Sequence, residues 1–497
     1  MKTIKADVVV VGGGGSGLAA AIEARAQGAE VVLLEKNPYC GGTTARSIGS
    51  ITATRTAHQQ RAGIVDTPEE QYADMPLFAK HVARGDNDAL RKVLAENVPE
   101  TFRWLCSIGV EFFGPLEEPP NKKPRMHNVV PNSRAYIYHL ERHARKIGVK
   151  IFNEARATSL IRNEGTVVGI RVQMASAEES EISASTVVLA AGDYAANPDM
   201  KLRYISEAVA RTDPINPTST GDGIRLGLEA GGEIINGDLF GGGIRFSVPK
   251  ANWISRLPPS PWLMKPTGWA LRYLPLGLVR KFVMGFLTTV LVPDLRLFEQ
   301  GAILVNRGGE RFADETKHMV FALADQPEGM AHIVFDADVA ARFSQWPYYL
   351  STAPGFAYAY IQDYERNRPD LVSKADTLEA LATTLGVPVD AFKSSVAAYN
   401  KGGSGDLGRG SRSPILRPPF YALGPVRNYI NYTDGGLAVN EHLQVLRTDG
   451  TPVKGLFAAG SNGQGGLLLK GHGHHLGWAF TSGRIAGRNA AGRFGLT

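Results

Sequence analysis

Cysteine is nearly missing from this sequence: 497 residues hold only two, Cys40 and Cys106. They lie far apart and match no metal-ligand spacing, which excludes a disulfide framework and fits a reducing compartment. Long apolar runs are missing too. Outside the glycine loops the most apolar uncharged run, Phe282 to Pro293, falls well short of the ~18 residues needed to cross a bilayer. Phe343 to Gln362 is also uncharged, but two prolines and several polar residues break it. The N-terminal MKTIKADVVVVGGGGSG places Lys2 and Lys5 before apolar residues. That apolar run is short and ends in a glycine loop instead of a cleavage site, so it reads as a first strand and the default location is cytoplasmic. The signature of disorder is absent at 43% hydrophobic and 21% charged residues. A net charge of +6 is mild for this length. Its short clusters, Lys122 to Arg125 and Arg142 to Lys146, read as solvated faces, and no basic stripe interleaved with aromatics marks a nucleic-acid partner.

What the sequence has in quantity is glycine, 56 residues of it, as suits a chain that brings backbone close to a ligand. The length suits a large α/β domain with a second lobe. Asp7 to Val11 is a β-branched run of the kind buried on both faces, Leu18 to Ala26 is helix-forming, and Val31 to Leu34 is a second strand. Further strands are expected at 149–152, 167–172, 186–192 and 302–306, and helices at 138–146, 319–324 and 377–385. Composition shifts after about Phe240, and strand, glycine loop and helix return over Gly455 to Gly487. The expected organisation is one discontinuous nucleotide-binding domain, residues 1–242 and 433–497, with an inserted α+β capping and substrate lobe at 243–432.

Between the first strand and the first helix stands Gly12-x-Gly14-x-x-Gly17, with Glu35 closing the second strand. In that context the spacing reads as a dinucleotide site. Gly12 permits the tight turn, Gly14 lets a pyrophosphate approach the backbone, and Gly17 lets helix and strand pack closely. The helix N-terminus supplies N–H groups to the phosphates. Glu35 is placed to accept hydrogen bonds from a ribose, which disfavours a 2′-phosphate.

Beyond Glu35 and Lys36 comes Gly41-Gly42-Thr43-Thr44-Ala45-Arg46-Ser47, and here the sequence resembles the FAD-dependent flavoproteins of the fumarate reductase, succinate dehydrogenase and 3-ketosteroid dehydrogenase superfamily. The resemblance extends through VVLAAGDYAAN (187–197), TSTGDGIRLGLEAGG (218–232), GAILVNRGGERFADE (301–315), PPFYA (418–422), TDGGLAVN (433–440) and GLFAAG (455–460). It implies a Rossmann-like FAD domain with a capping lobe. It implies FAD held by Gly12, Gly14, Gly15, Ser16, Gly17, Glu35, Lys36, Gly42, Thr43, Thr44, Ser47, Gly49, Ala157, Ala191, Gly192, Asp222, Gly460 and Ser461, with the pyrimidine end of the flavin at Gly477, Trp478 and Ala479. Trp478 is open to a second reading, as a packing residue. No histidine lies in the Thr43 to Ser50 segment, where the membrane-complex members tether their flavin, so non-covalent FAD is expected.

The family's dicarboxylate-binding residues are replaced here. The proton-donor arginine expected four residues beyond Glu315 is Met319, with His318 beside it. The histidine before the Thr-x-Gly-Gly element is Tyr432, and the arginine two residues before the C-terminal Gly-x-Ala is His475. Three such losses argue against fumarate or succinate, because a pair of uncompensated carboxylates in a closed site is costly. The ketosteroid branch implies instead removal of an α-proton beside a ketone and loss of the β-hydrogen as hydride. Its backbone oxyanion donor falls on Gly473, while its tyrosine four residues earlier is Leu469.

The cluster GHGHH (471–475) then has three readings: a metal site, a structural turn, or imidazoles facing a substrate. Adjacent histidines rarely converge on one ion, and no carboxylate or thiol in the segment completes a set, so no metal is expected. His475 and His474 with Tyr432, His318 and Gly473 are the expected catalytic groups, and Lys470 is a further candidate acid or base. The expected activity is FAD-dependent desaturation of the α,β carbon–carbon bond beside a carbonyl in a hydrophobic, cyclic or steroid-like substrate. The alternatives are reduction of a non-dicarboxylate activated alkene, and a flavin-bound protein without turnover. Either reaction needs an electron acceptor or donor that the sequence does not name. The apolar and cationic stretch Trp262 to Val292 is either lobe core or a hydrophobic flap that admits a greasy substrate or touches a membrane surface.

Overall fold

The β-branched run at the N-terminus extends into strand β1 (Thr3–Val11), followed by helix α1 (Gly15–Ala26) and strand β2 (Val31–Leu34). Val8 to Val11 and Val31 to Leu34 are all buried, as expected of a central parallel pair covered on both faces. The computed structural model describes residues 3–80, 82, 84–176, 179–246, 288, 293–315, 319–353, 357–402 and 413–492. The stretch Trp262 to Val292 lies outside the described residues apart from Thr288, and His318 lies outside them as well.

The two longest helices of the stretch that follows are α2 (Asp88–Ser107) and α3 (Arg134–Lys146). Helix α3 starts four residues before the expected Tyr138, because Ala135, Tyr136 and Ile137 bury the first turn in the core. Strands β3 (Lys150–Phe152), β4 (Arg156–Asn163), β5 (Thr166–Gln173) and β6 (Glu179–Leu189) complete this half. Helix α4 (Asp222–Glu229) then leads to β7 (Phe240–Phe246). In the inserted lobe come β8 (Ile303–Asn306), β9 (Met330–Phe335), β10 (Val372–Ala375), helices α5 (Leu378–Leu385) and α6 (Val389–Lys401), and the long strand β11 (Phe420–Thr433). Strands β12 (Gln444–Leu446) and β13 (Pro452–Ala458) and helix α7 (His474–Ala491) close the chain.

The first sheet has eight strands, ordered β12-β13-β6-β1-β2-β3, with β5 also pairing β6 and β4 pairing β5. Its centre, β13, β6, β1, β2 and β3, is parallel. The glycine loop after β1 opens at the carboxyl ends of these strands, where open α/β sheets bind ligands. The second sheet has five strands, ordered β7-β11-β9-β8 with β10 also on β11, and is antiparallel throughout. It starts at Phe240 and ends at Thr433, and two apolar clusters cover its faces. Strand β11 therefore hands the chain from the inserted lobe straight to Asp434 and the FAD half. That handover builds the site.

Candidate active site

A groove runs from the glycine loop past Glu35, Asp222 and Ala479. Gly12, Gly14, Gly15, Ser16, Glu35, Lys36, Gly42, Thr43, Thr44, Ala157, Ala191, Gly192, Asp222, Ser461 and Ala479 line it. Asn37, Ala155, Arg156, Asn216, Thr218 and Ser219 line it too, and the sequence reading passed over them as ligand contacts. The shape suits a pyrophosphate. At Gly12 (φ +109°) a Cβ would lie 2.5 Å from Ala190 O, and at Gly17 it would collide with Gly12 O, so both must be glycine. At Gly14 a Cβ would meet nothing within 4 Å, because that edge faces the groove. Gly14 is the N-cap of α1 and no side chain caps the helix, which leaves its positive end to a phosphate.

Glu35 is buried and does more than wait for a ribose. Its carboxylate accepts from Gly13 N at 2.8 Å and from Asn37 N and Nδ2 at 2.8 and 2.7 Å, which ties the glycine loop to the second strand. Asp222 accepts from Lys36 Nζ at 2.8 Å and Arg156 at 2.9 Å. Burial pushes its carboxyl up, but these two cations outweigh burial and hold its pKa at about 2. Thr44 Oγ1 accepts from Gly15 N at 3.1 Å, and Asn216 Nδ2 donates to Thr43 Oγ1 at 3.0 Å. Ser47 donates to Thr44 O, and Gly49 accepts from Tyr136 O–H. Trp478 is fully buried, with its indole N–H on Gly460 O at 3.2 Å, so the ring packs inside. Gly477 faces Val98 and Leu94 of α2.

The three C-terminal imidazoles go three ways. His472 Nδ1 lies 2.5 Å from Glu118 Oε1, which also accepts the His472 backbone N–H at 2.8 Å; that hydrogen bond raises the imidazole's pKa. His474 is buried against Phe78, its Nδ1 on Lys470 O, and burial lowers its pKa. His475 turns toward the end of β11, where its ring lies 4.1 Å from that of Tyr432. Burial lowers the His475 pKa to about 4, so it is uncharged near neutrality, and its Nε2 has no hydrogen-bond partner. Among the described residues no three metal-ligating side chains converge.

Beneath His475 and Tyr432 sits a residue the sequence reading passed over inside the TDGG element, Asp434. Its side chain is fully buried. It pairs with Lys470 Nζ at 2.6 Å and accepts from Gln464 Nε2 at 3.0 Å, with His475 Nε2 at 3.9 Å. Lys470 Nζ also lies 5.6 Å from the centre of the Tyr432 ring. Burial first, and then the Asp434 charge, push the Tyr432 hydroxyl well above the usual phenol range. The hydroxyl lies over Gly241 of β7, where a Cβ would be 2.6 Å away. Gly473 is the N-cap of α7 in the left-handed region (φ 84°), and no side chain caps that helix. The cluster is therefore one compensated ion pair roofed by a protonated phenol, an uncharged imidazole and a helix N-terminus.

The description of one family, FAD binding domain, matches residues 7–241 and 269–467. The chain belongs to this FAD-binding family. The flavoprotein is 28% identical over 520 residues to the vinyl phenol reductase of Lactiplantibacillus plantarum, covering 98% of this chain and 96% of the relative. It is 28% identical over 516 residues to the urocanate reductase of Eggerthella lenta, covering 98% and 75%. Among solved structures, the open conformation of a flavocytochrome c3 fumarate reductase superposes with a TM-score of 0.75 at 25% identity, covering 98% of this chain and 78% of that one. The flavoprotein is thus a member of the fumarate reductase and succinate dehydrogenase flavoprotein superfamily, binds FAD, and is an FAD-dependent oxidoreductase.

Proposed function

We propose that this flavoprotein reduces the carbon–carbon double bond of a small, non-dicarboxylate alkene conjugated to a carbonyl or similar acceptor, with Tyr432 as proton donor. The observation that carries the reading is the environment of Tyr432. It is half-buried, keeps its proton far above neutral pH, and lies against uncharged His475 above the closed Asp434–Lys470 pair. FAD, held non-covalently along the groove, supplies the hydride chemistry. Tyr432 gives a proton to the carbon next to the acceptor group, and the ammonium of Lys470, 5.6 Å from the centre of the same ring, returns one to it and is reprotonated from solvent. The uncapped N-terminus at Gly473 offers backbone N–H groups to the acceptor's developing negative charge.

A dicarboxylate fits poorly. Asp434 already spends the charge of Lys470, and the arginine and histidine expected for carboxylates are His475 and Tyr432. Two relatives are named as reductases, which supports this direction, and a third, from Sinomonas cyclohexanicum, is named as a 4-oxocyclohexanecarboxylate 2-dehydrogenase. The reverse reaction, desaturation beside a ketone, is favoured by one separate feature: His475 Nε2 is uncharged and unpartnered, as a base for the α-proton must be. Anaerobic mixing tests both directions. Neutral enones should reoxidise the photoreduced enzyme faster than fumarate does, and saturated ketones should bleach the oxidised flavin more slowly. Preference for fumarate would overturn the reading, and fast bleaching by ketones would reverse its direction.

A further inference from the structure

Strands β7 and β11 carry a feature that the proton-donor cluster leaves unused. Their register pairs Gly241 with Tyr432, Gly243 with Tyr429 and Arg245 with Arg427. Residues opposite one another in an antiparallel pair point to the same face. One face of the ribbon thus runs from Tyr432, through Tyr429, to two adjacent arginines. The other face is Ile244, Phe246, Val426, Asn428 and Ile430, all buried.

The two arginines are half-buried and differ from the enclosed guanidinium groups elsewhere among the described residues. Arg125 is closed by Asp66 and Asp74, Arg484 by Glu23 and Glu100, Arg311 by Glu315, and Arg368 by Asp370. Arg245 and Arg427 meet no carboxylate among the described residues, and Arg245 Nε is buried without a hydrogen-bond partner. A guanidinium held partly inside the protein with no carboxylate beside it is unfavourable unless an anion joins it. Strand rise places the Cα of Arg245 about 13 Å from that of Gly241, and an arginine side chain reaches back over several ångströms of that span.

We infer that Arg245 and Arg427 form the binding site for a carboxylate on the substrate, at the end remote from the double bond that Tyr432 protonates. The inference rests on the proposed reading of the Tyr432 cluster and names its substrate class: an elongated monocarboxylic acid bearing a conjugated enone. Fumarate carries its carboxylates directly on the double bond and cannot span that distance. An aromatic or alicyclic body between the two ends would lie along Tyr429 and the glycine strip.

The test uses the flavin-loaded full chain, a cyclic enone with a carboxylate on a short tail, and its neutral methyl amide. Equilibrium dialysis gives the two dissociation constants, and reoxidation of the photoreduced flavin gives KM and kcat. The acid should bind about tenfold or more tightly than the amide, as charge-assisted bidentate contacts do. Arg245→Met and Arg427→Met, each alone, should bring the ratio to about one, and Arg245→Lys should keep part of it. Flavin absorbance and melting temperature confirm that each variant is folded, and a variant that fails leaves the other to decide. High salt should erase the preference in the wild type. Equal binding of acid and amide by the wild-type protein would overturn the inference, and reoxidation by both would leave the Tyr432 reading standing. A preference for the acid with no reoxidation by either compound would uphold the carboxylate site and remove the reductase reading.

Discussion

At the scale of single residues, three histidines within four positions part because each meets a different neighbour. Glu118 takes His472, the Lys470 carbonyl takes His474, and the Tyr432 ring takes His475. Glycine decides as much on the cofactor side. Gly17→Ala would drive a methyl into Gly12 O, so the variant should purify with little or no flavin and fail to be reconstituted, read by visible absorbance. A yellow Gly17→Ala protein would remove FAD from this loop. The glycine spacing and Glu35 were legible because their chemistry follows from a local pattern. Asp434 was not, since an aspartate in a glycine-rich turn reads as turn chemistry until Lys470, 36 residues on, is seen beside it. The arginine pair was hidden for a similar reason, because only strand register brings Arg245 and Arg427 together.

At the scale of elements, the site is the meeting of β11 with the loop before α7. The Asp434–Lys470 pair fastens that meeting, with the aspartate wholly inside. Removing one partner of a buried pair leaves an uncompensated charge, so Lys470→Met should cost roughly 3–5 kcal/mol in chemical denaturation. An Asp434→Leu/Lys470→Met double variant should recover much of that loss, and one as unstable as the single would contradict the pairing. Elements with a strong local period were legible close to their observed ends: β2, β5, β8 and α5. Others carry no such signature. Helix α2 runs through Pro99, a residue that ordinarily ends helices, and its buried face of Leu90, Leu94, Val98, Phe102 and Leu105 holds it. Strand β11 contains Gly424-Pro425 and a bulge opposite Gly241, which break its alternation.

At the scale of the whole molecule, the acid response follows from histidines buried uncharged. Burial lowers His127 to about 3, and His332 and His475 to about 4, each below the unfolded value near 6.5. The unfolded chain therefore takes up protons first. The stability these groups contribute is complete above pH 6.5 and is lost as pH falls toward 4, with about two to three protons bound on unfolding near pH 5. Denaturant midpoints measured from pH 7 to pH 5 should fall steeply, and a flat profile would show these imidazoles charged in the fold. The same environment bears on catalysis, because neither Tyr432 nor His475 titrates near neutrality. The most direct measurement is the single-turnover rate at which a neutral enone reoxidises the reduced enzyme, in wild type and in Tyr432→Phe, between about pH 6 and 8. The expected wild-type rate is flat across that range, and the variant, with its flavin retained, should be slower by ~10²–10⁴-fold. A variant within about threefold of wild type, or a wild-type rate that titrates near pH 7, would contradict Tyr432 as the proton donor.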